Sequence, residues 1–267
     1  MKSARQSINL RQTEMLAIIR ERQEVLVDEL SQLLDISPMT VRRDLQFLEK
    51  QGKISRFHGG ATALLRRGSA DTESAEVSAC RRWISQYAAS LVKDGDTILI
   101  NGSNTALAML DYLEGKHVTV YTNNGYAIER NYPEGIDLRL FGGTPNFGYI
   151  LTGDMTLRNL MDIQADQAFL GCTGISPDGE ILCGIPSELA INETMIAHAR
   201  NYYILADHTK IGRSSPTASF LLEKKGRVIT DIYAPEDITE RLSVVGMGVI
   251  KVSGDGNDPE HMEAAEV

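Results

Sequence analysis

Ile36-Ser37-Pro38-Met39-Thr40-Val41-Arg42-Arg43-Asp44-Leu45 is the stretch that decides how the first quarter of this chain is read. Ser37 offers an oxygen to the unpaired N–H groups of a helix start. Pro38 suits the first helical position, where its missing N–H costs nothing. Val41, Leu45 and Leu48 follow at i, i+4 and i+7, which predicts a helix to about Gln51 with one apolar seam, stopped at Gly52. Met39, Arg42, Arg43 and Gln46 fall on the opposite face, with Thr40 at its flank. Asp44 is acidic beside that face and is expected to pair with, or cap, a neighbouring basic residue.

Working outward, Met15, Ile18 and Ile19 keep helical spacing within residues 10–22, and Leu30, Leu33 and Leu34 mark one face of a second short helix over 27–34. Residues 53–57 alternate polar and apolar like a strand, and His58-Gly59-Gly60 turns it. Three short helices, a tight connection before the third and a small hairpin describe a winged helix-turn-helix. Its second motif helix enters the DNA major groove N-terminus first. The expected contacts are Ser37 and Thr40 to phosphate, Arg42 and Arg43 to phosphate or guanine, and Gln46 to an adenine edge. Met39 shares that face, and Arg56, His58 and Gly59 reach from the wing.

The charge distribution agrees. The 267 residues carry a formal charge of −9, but residues 1–67 hold 12 basic and 8 acidic side chains, a net of +4 that leaves −13 for the rest. A basic head on an acidic body implies that the head alone meets a polyanion. Hydrophobic content of 42% and charged content of 24% exclude a disordered or fibrous chain, and no apolar run approaches a membrane span. Cys80, Cys172 and Cys183 are odd in number and widely spaced, so they read as reduced thiols of a cytoplasmic protein. His117, His198 and His261 lack metal spacing, and neither a metal nor a cofactor is expected.

After a linker over 63–78, the body (79–252) alternates helix-like and strand-like segments. Strands are expected at 97–100, 118–122, 138–141, 167–170, 202–206, 228–230 and 249–252. Helices are expected at 80–91, 105–113, 155–161, 187–200 and 235–242. The alternation implies a mainly parallel, covered, Rossmann-like α/β sheet. The tail, 253–267, is polar and acidic and expected to be disordered.

In such sheets ligands bind beyond the carboxyl ends of the strands. The loops there are small and polar: Asn101-Gly102-Ser103-Asn104-Thr105, Thr122-Asn123-Asn124, Gly142-Gly143-Thr144, Gly171-Cys172-Thr173-Gly174 and Asp207-His208-Thr209-Lys210-Ile211-Gly212. The first leads into a helix start, a ready anion site, and Lys210 is suited to neutralise a phosphate. Neither a Walker A loop nor GxGxxG is present after the first strand. A polar, phosphorylated ligand fits this set.

Arg11-x3-Met15-x3-Ile19, the segment from Ser37 to Leu45, and the wing from Gly52 to Ala61 resemble the N-terminal signature of the DeoR family of bacterial transcriptional regulators. The loops of the body resemble that family's C-terminal sensor domain, similar in fold to ribose-5-phosphate isomerase. The resemblance implies repression of a sugar or carbohydrate catabolic operon and an effector that is a phosphorylated sugar or a related metabolite. It implies that Ser103, Asn104, Thr105 and Lys210 hold the phosphate, with Asn123, Gly142, Asp166 and Asp207 near the sugar. Gly102, Asn124, Gly143, Gly171 and Glu188 complete the expected effector site, Glu188 standing for an acidic residue of the family. Asn192 replaces a lysine usual in the family, and Asn104-Thr105 replaces a pair of threonines.

The expected partners are double-stranded operator DNA, that effector and further copies of the chain in a homo-oligomer, with no membrane. The competing reading is a sugar-phosphate isomerase carrying a DNA-binding head, with Asp166, Asp207 or Glu188 abstracting the proton.

Overall fold

The computed structural model describes residues 11–19, 24–50, 53–57, 59–63, 74–146, 149–214, 219–221, 226–254 and 263–266. It separates into two compact units, Met1–Ser69 and Ala70–Val267.

In the first unit, residues 11–19 form helix α1, followed by β1 (Glu24–Leu26), α2 (Val27–Leu33), α3 (Pro38–Lys50), β2 (Ile54–Phe57) and β3 (Gly60–Ala63). Ser37 caps α3 as its position requires: its Oγ accepts the N–H of Thr40 at 3.2 Å. Val41, Leu45 and Leu48 are buried with Met15, Ile19, Val25, Leu30, Ile54 and Ala61 in one core, against which Ile18 packs. Leu33 departs from the expected face and is 47% exposed. The α2 helix ends there, and half-buried Leu34 and Ile36 pack against the core instead. The wing is a three-stranded antiparallel sheet in the order β1-β3-β2. Strand β1 lies between the first two helices, too short to show an alternation of its own.

The second unit holds α4 (Ala75–Ser90), β4 (Thr97–Ile100), α5 (Asn104–Ala108), β5 (Val118–Thr122), β6 (Ile136–Leu140), β7 (Thr144–Asn146), β8 (Ile150–Thr152), α6 (Asp154–Met161) and β9 (Ala165–Gly171). It continues through β10 (Gly174–Ile175), β11 (Glu180–Leu182), α7 (Leu189–Ala197), β12 (Ala199–Leu205), β13 (Ser219–Leu221), β14 (Gly226–Asp231), α8 (Glu236–Val244), β15 (Gly248–Ser253) and β16 (Glu263–Glu266). The main sheet runs β16-β15-β14-β12-β9-β4-β5-β6, parallel throughout except for β16. Both faces are covered. Ile98, Ile100 and Phe169 pack beneath α4, while Leu99, Ala168 and Leu170 pack on the other side with Ile191 and Met195 of α7.

Several expectations need correction. Of the linker expected over 63–78, Ala63 still belongs to β3 and residues 75–78 are already helical, while residues 64–73 lie outside the described residues. The helix expected over 105–113 is a five-residue α5 followed by a 3-10 turn, Met109–Tyr112. The helix expected over 187–200 stops at Ala197, because the chain enters β12 at Ala199, which pairs with Ala165. The tail contributes β16, whose backbone pairs with the edge of β15 whatever its side chains are. Strands β7, β8, β10, β11 and β13 went unforeseen because two or three residues are too few to display a period.

Candidate functional site

On α3, Met39 is 71% exposed, and Arg42, Arg43 and Gln46 are exposed along the same face. The opposite face is sealed by the core and by Asp44. Its buried carboxylate accepts from Arg11 Nε at 2.7 Å and Gln12 Nε2 at 2.8 Å, with Arg11 Nη2 2.6 Å away. The expected partner of Asp44 is therefore Arg11, and the pair locks α1 onto α3. Thr40 shares a 2.9 Å hydroxyl contact with Ser37, so both hydroxyls help to organise the helix start. Arg56 is ion-paired with Glu49 at 3.6 Å, a half-exposed pair that is worth little and easily exchanged. Gly59 turns the wing at φ +94°, and His58 lies outside the described residues.

In the body, chain order reverses beside β4. The chain runs outward through β5 and β6, returns to β9 on the other side, then runs outward through β12, β14 and β15. A crevice opens above such a switch point. Asn101, at the end of β4, spans it. Its Nδ2 donates to Gly171 O at 2.9 Å and Asn192 Oδ1 at 3.1 Å, while its Oδ1 accepts from Gly171 N at 2.9 Å and Ser103 N at 3.2 Å. Gly171 allows this approach, since a Cβ there would lie 2.1 Å from Ser103 Oγ. Asn124 draws the second loop in, donating to Gly102 O at 3.3 Å and meeting Asn104 Oδ1 at 3.5 Å. Ser103 Oγ caps α5 by accepting from Ala106 N at 3.3 Å. With five residues, α5 brings local hydroxyl and amide donors rather than a long helix dipole.

Asn123 is fully buried. Its Nδ2 donates to Leu151 O at 3.2 Å and to Glu188 Oε1 at 3.0 Å, which settles which amide atom is nitrogen. Its Oδ1 is buried with no hydrogen-bond partner among the described residues. Glu188 is buried in the 3-10 turn Pro186–Glu188 and also crowds Gly102, where a Cβ would stand 2.5 Å from Glu188 Oε1.

Beyond β12, Asp207 is buried and ion-paired with Arg81 Nε of α4 at 2.8 Å; it also accepts from Thr209 N at 3.1 Å and from the Thr209 hydroxyl. Burial alone would raise its pKa. The charges of Lys210 and Arg81 and these hydrogen bonds outweigh it and hold the carboxyl below its ordinary value. Helix α4 touches the first loop as well, through Ser85 Oγ to Thr105 O at 2.8 Å. Cys172 is buried near Lys210, and its thiol is pushed up to about 11, chiefly by burial.

Gly142 and Gly143 lie in the loop after β6, as expected, whereas one acid does not stand where it was expected. Gly142 and Gly143 (φ +70° and +119°) form the entry to the β7–β8 hairpin, with Thr156 Oγ1 donating to Gly142 O at 2.7 Å. Asp166 does not join the site. It stands at the opposite end of β9, about 17 Å from Gly171 at strand rise, accepting from Thr97 N and Arg200 Nη1, both at 3.0 Å. Its neighbours belong to the first residues of β4 and β12, so it is a bottom-edge clasp. Arg81 was the residue missed, while Asn101 and Asn192 were named in the sequence without being assigned a place in the site. Arg81 carried a faint signal as a charge one turn before Ser85 on a largely buried helix, and Asn101 as the polar residue ending the apolar run Thr97–Ile100.

The two units together define a DNA-binding regulator: a winged helix-turn-helix and a separate α/β domain with a polar cluster at the carboxyl ends of its strands. Residues 11–67 match the DeoR-like helix-turn-helix domain, and residues 77–232 match the DeoR C terminal sensor domain. The chain belongs to the DeoR family of transcriptional regulators. It is similar to the HTH-type transcriptional repressor CsqR of Escherichia coli (strain K12), 32% identical over 88% of this chain and 92% of that protein. It is also similar to the glycerol-3-phosphate regulon repressor of Haemophilus influenzae, 27% identical over 78% of this chain and 83% of that protein. Among solved structures, ribose 5-phosphate isomerase a of Methanocaldococcus jannaschii covers 70% of this chain with 98% of its own, at 14% identity and a TM-score of 0.39.

Proposed function

We propose that this regulator is a repressor of a carbohydrate catabolic operon, acting in the cytoplasm, whose operator binding is set by a phosphorylated sugar or related metabolite in the crevice above β4 and β9. The observation that carries the reading is Asn123. A buried amide oxygen without a partner among the described residues is costly, and a ligand hydroxyl donating to it removes that cost. Around it, Asn101, Ser103, Asn124 and Glu188 form a closed polar set suited to a polyol, and Lys210 with Arg81 supplies positive charge for a phosphate.

Met39, Arg42, Arg43 and Gln46 read the major groove in this proposal, with Ser37, Thr40 and the wing on the backbone. A single α3 helix spans few base pairs, so two or more copies on repeated half-sites supply the specificity. The effector acts by binding two arrangements of that homo-oligomer unequally.

The test is fluorescence anisotropy of the full-length protein on DNA upstream of its own gene, with a panel of aldose and ketose phosphates. Salt-sensitive binding that one compound alters in the wild type, but not in Asn123→Ala, is the expected result. Binding to that DNA that no phosphate in the panel changes would remove the effector assignment. Preference for no DNA over random sequence would remove the operator assignment.

A further inference from the structure

Three side chains that the sensor reading leaves unused converge beside the Asp207–Arg81 pair: Cys80 of α4, His208 of the loop after β12 and Asp231 at the end of β14. Their donor atoms all lie within 4.8 Å of one another. We propose that Cys80, His208 and Asp231 form a binding site for one zinc ion.

The donor set selects the metal. A thiolate excludes Mg2+ and Ca2+, whereas sulfur, imidazole and carboxylate together suit Zn2+. Ligands at zinc distances in a tetrahedral site stand about 3.3–3.7 Å apart, so a separation of at most 4.8 Å closes with small side-chain movements. His208 Nδ1 and Asp231 Oδ1 are 2.9 Å apart and must open slightly.

Charge favours the same ion. Thiolate, carboxylate and neutral imidazole carry two negative charges, which Zn2+ cancels in a region where Cys80 and Asp231 are fully buried. The outer shell is built. Asp231 is held by backbone donors, His208 N at 2.7 Å and Tyr233 N at 3.0 Å, and the Tyr233 ring meets the His208 ring edge-on at 5.7 Å. His208 is partly exposed and leaves an entry route, and three protein ligands leave a fourth position for water. The three residues are 23 and 128 or more positions apart in the chain, so no spacing motif announces them.

The site has a mechanical consequence. Cys80 and Arg81 are consecutive on α4, and they meet His208 and Asp207, which are consecutive after β12. The ion adds a second rivet between α4 and the loop that carries Lys210. This holds whatever the effector is.

The test titrates Co2+, then Zn2+, into full-length protein stripped of metal and of any purification tag, under reducing conditions. The expected result is a near-ultraviolet thiolate-to-cobalt band with visible bands of four-coordinate geometry, saturating at one ion per chain and displaced by Zn2+ with a Kd below about 1 μM. Trp83, the single tryptophan, sits three residues after Cys80 and is quenched in parallel. Cys80→Ser abolishes the thiolate band, while Cys172→Ser and Cys183→Ser keep it. His208→Ala weakens Zn2+ by more than the roughly 10–100-fold that an outer-shell loss costs. Absence of a thiolate band in the wild type, or a band that survives Cys80→Ser, would overturn the proposal and leave the three groups as a plain hydrogen-bonded set.

Discussion

Asp44→Ala tests whether the α3 face is held in place by a buried carboxylate rather than by its apolar seam alone. Asp44 is 3% exposed and accepts three donors, Arg11 Nε and Nη2 and Gln12 Nε2, at 2.6–2.8 Å. Removing the acceptor leaves the Gln12 amide buried without a partner, at about 1–3 kcal/mol. Arg11 is partly exposed and regains water, so its loss adds only about 1 kcal/mol. A change of about 3 kcal/mol compares with a total of about 3–9 kcal/mol for a unit of this size. It lowers the thermal midpoint of the head by roughly 12–24 °C.

The body supplies an internal control. Its Trp83 is the only tryptophan, so tryptophan fluorescence follows the body while far-ultraviolet circular dichroism follows both units. The expected outcome is an early circular dichroism phase, an unmoved fluorescence transition and lost DNA binding. Asp44→Asn keeps one acceptor oxygen and shows about half the effect. A head midpoint within a few degrees of wild type, or a fluorescence transition that moves with it, would refute the assignment of Asp44 as the clasp between α1 and α3.

Further outcomes follow from the same contacts. Arg43→Ala should weaken specific DNA binding by about 1–3 kcal/mol, without shifting either unfolding transition; an unchanged footprint and affinity would show that Arg43 reads nothing. Gly171→Ala places a Cβ 2.1 Å from Ser103 Oγ, so it should destabilise the body and erase the response to sugar phosphates while DNA binding by the head persists at low temperature. Asp207→Asn removes the charge paired with Arg81 and should lower the fluorescence midpoint, whereas Asp166→Asn should leave any effector response intact, being at the far sheet edge. Cys172, with its thiol pushed up to about 11, is protonated near neutral pH. Alkylation at pH 8 should therefore be slow in the native protein and rapid in urea, and fast native labelling would contradict its burial.

The head was legible because its information is local. Ser37, Pro38 and the spacing of Val41, Leu45 and Leu48 specify a capped amphipathic helix without reference to the rest of the chain, and Arg42 and Arg43 are placed by elimination on its open face. The parallel sheet was legible for a related reason: strands buried on both faces read as short apolar runs such as Thr97–Ile100, and the polar residue ending each run marks the ligand edge. Asp166 shows the limit of that rule. It opens its strand instead of closing it, and one dimension along a strand decides between a bottom clasp and a binding residue.

By itself the sequence determined the two-part organisation, the recognition helix and the set of loops gathered at one sheet edge, because caps, periodicity and strand alternation act over a few residues. Only the tertiary structure decided which of those loops touch and through what. Asn101 reaching Gly171, Asn123 reaching Glu188, Arg81 reaching Asp207, and Cys80, His208 and Asp231 sharing one corner all join residues tens of positions apart. Such pairs carry no local signal. They arise where the sheet changes direction and where α4 crosses its surface, and packing alone sets those meetings.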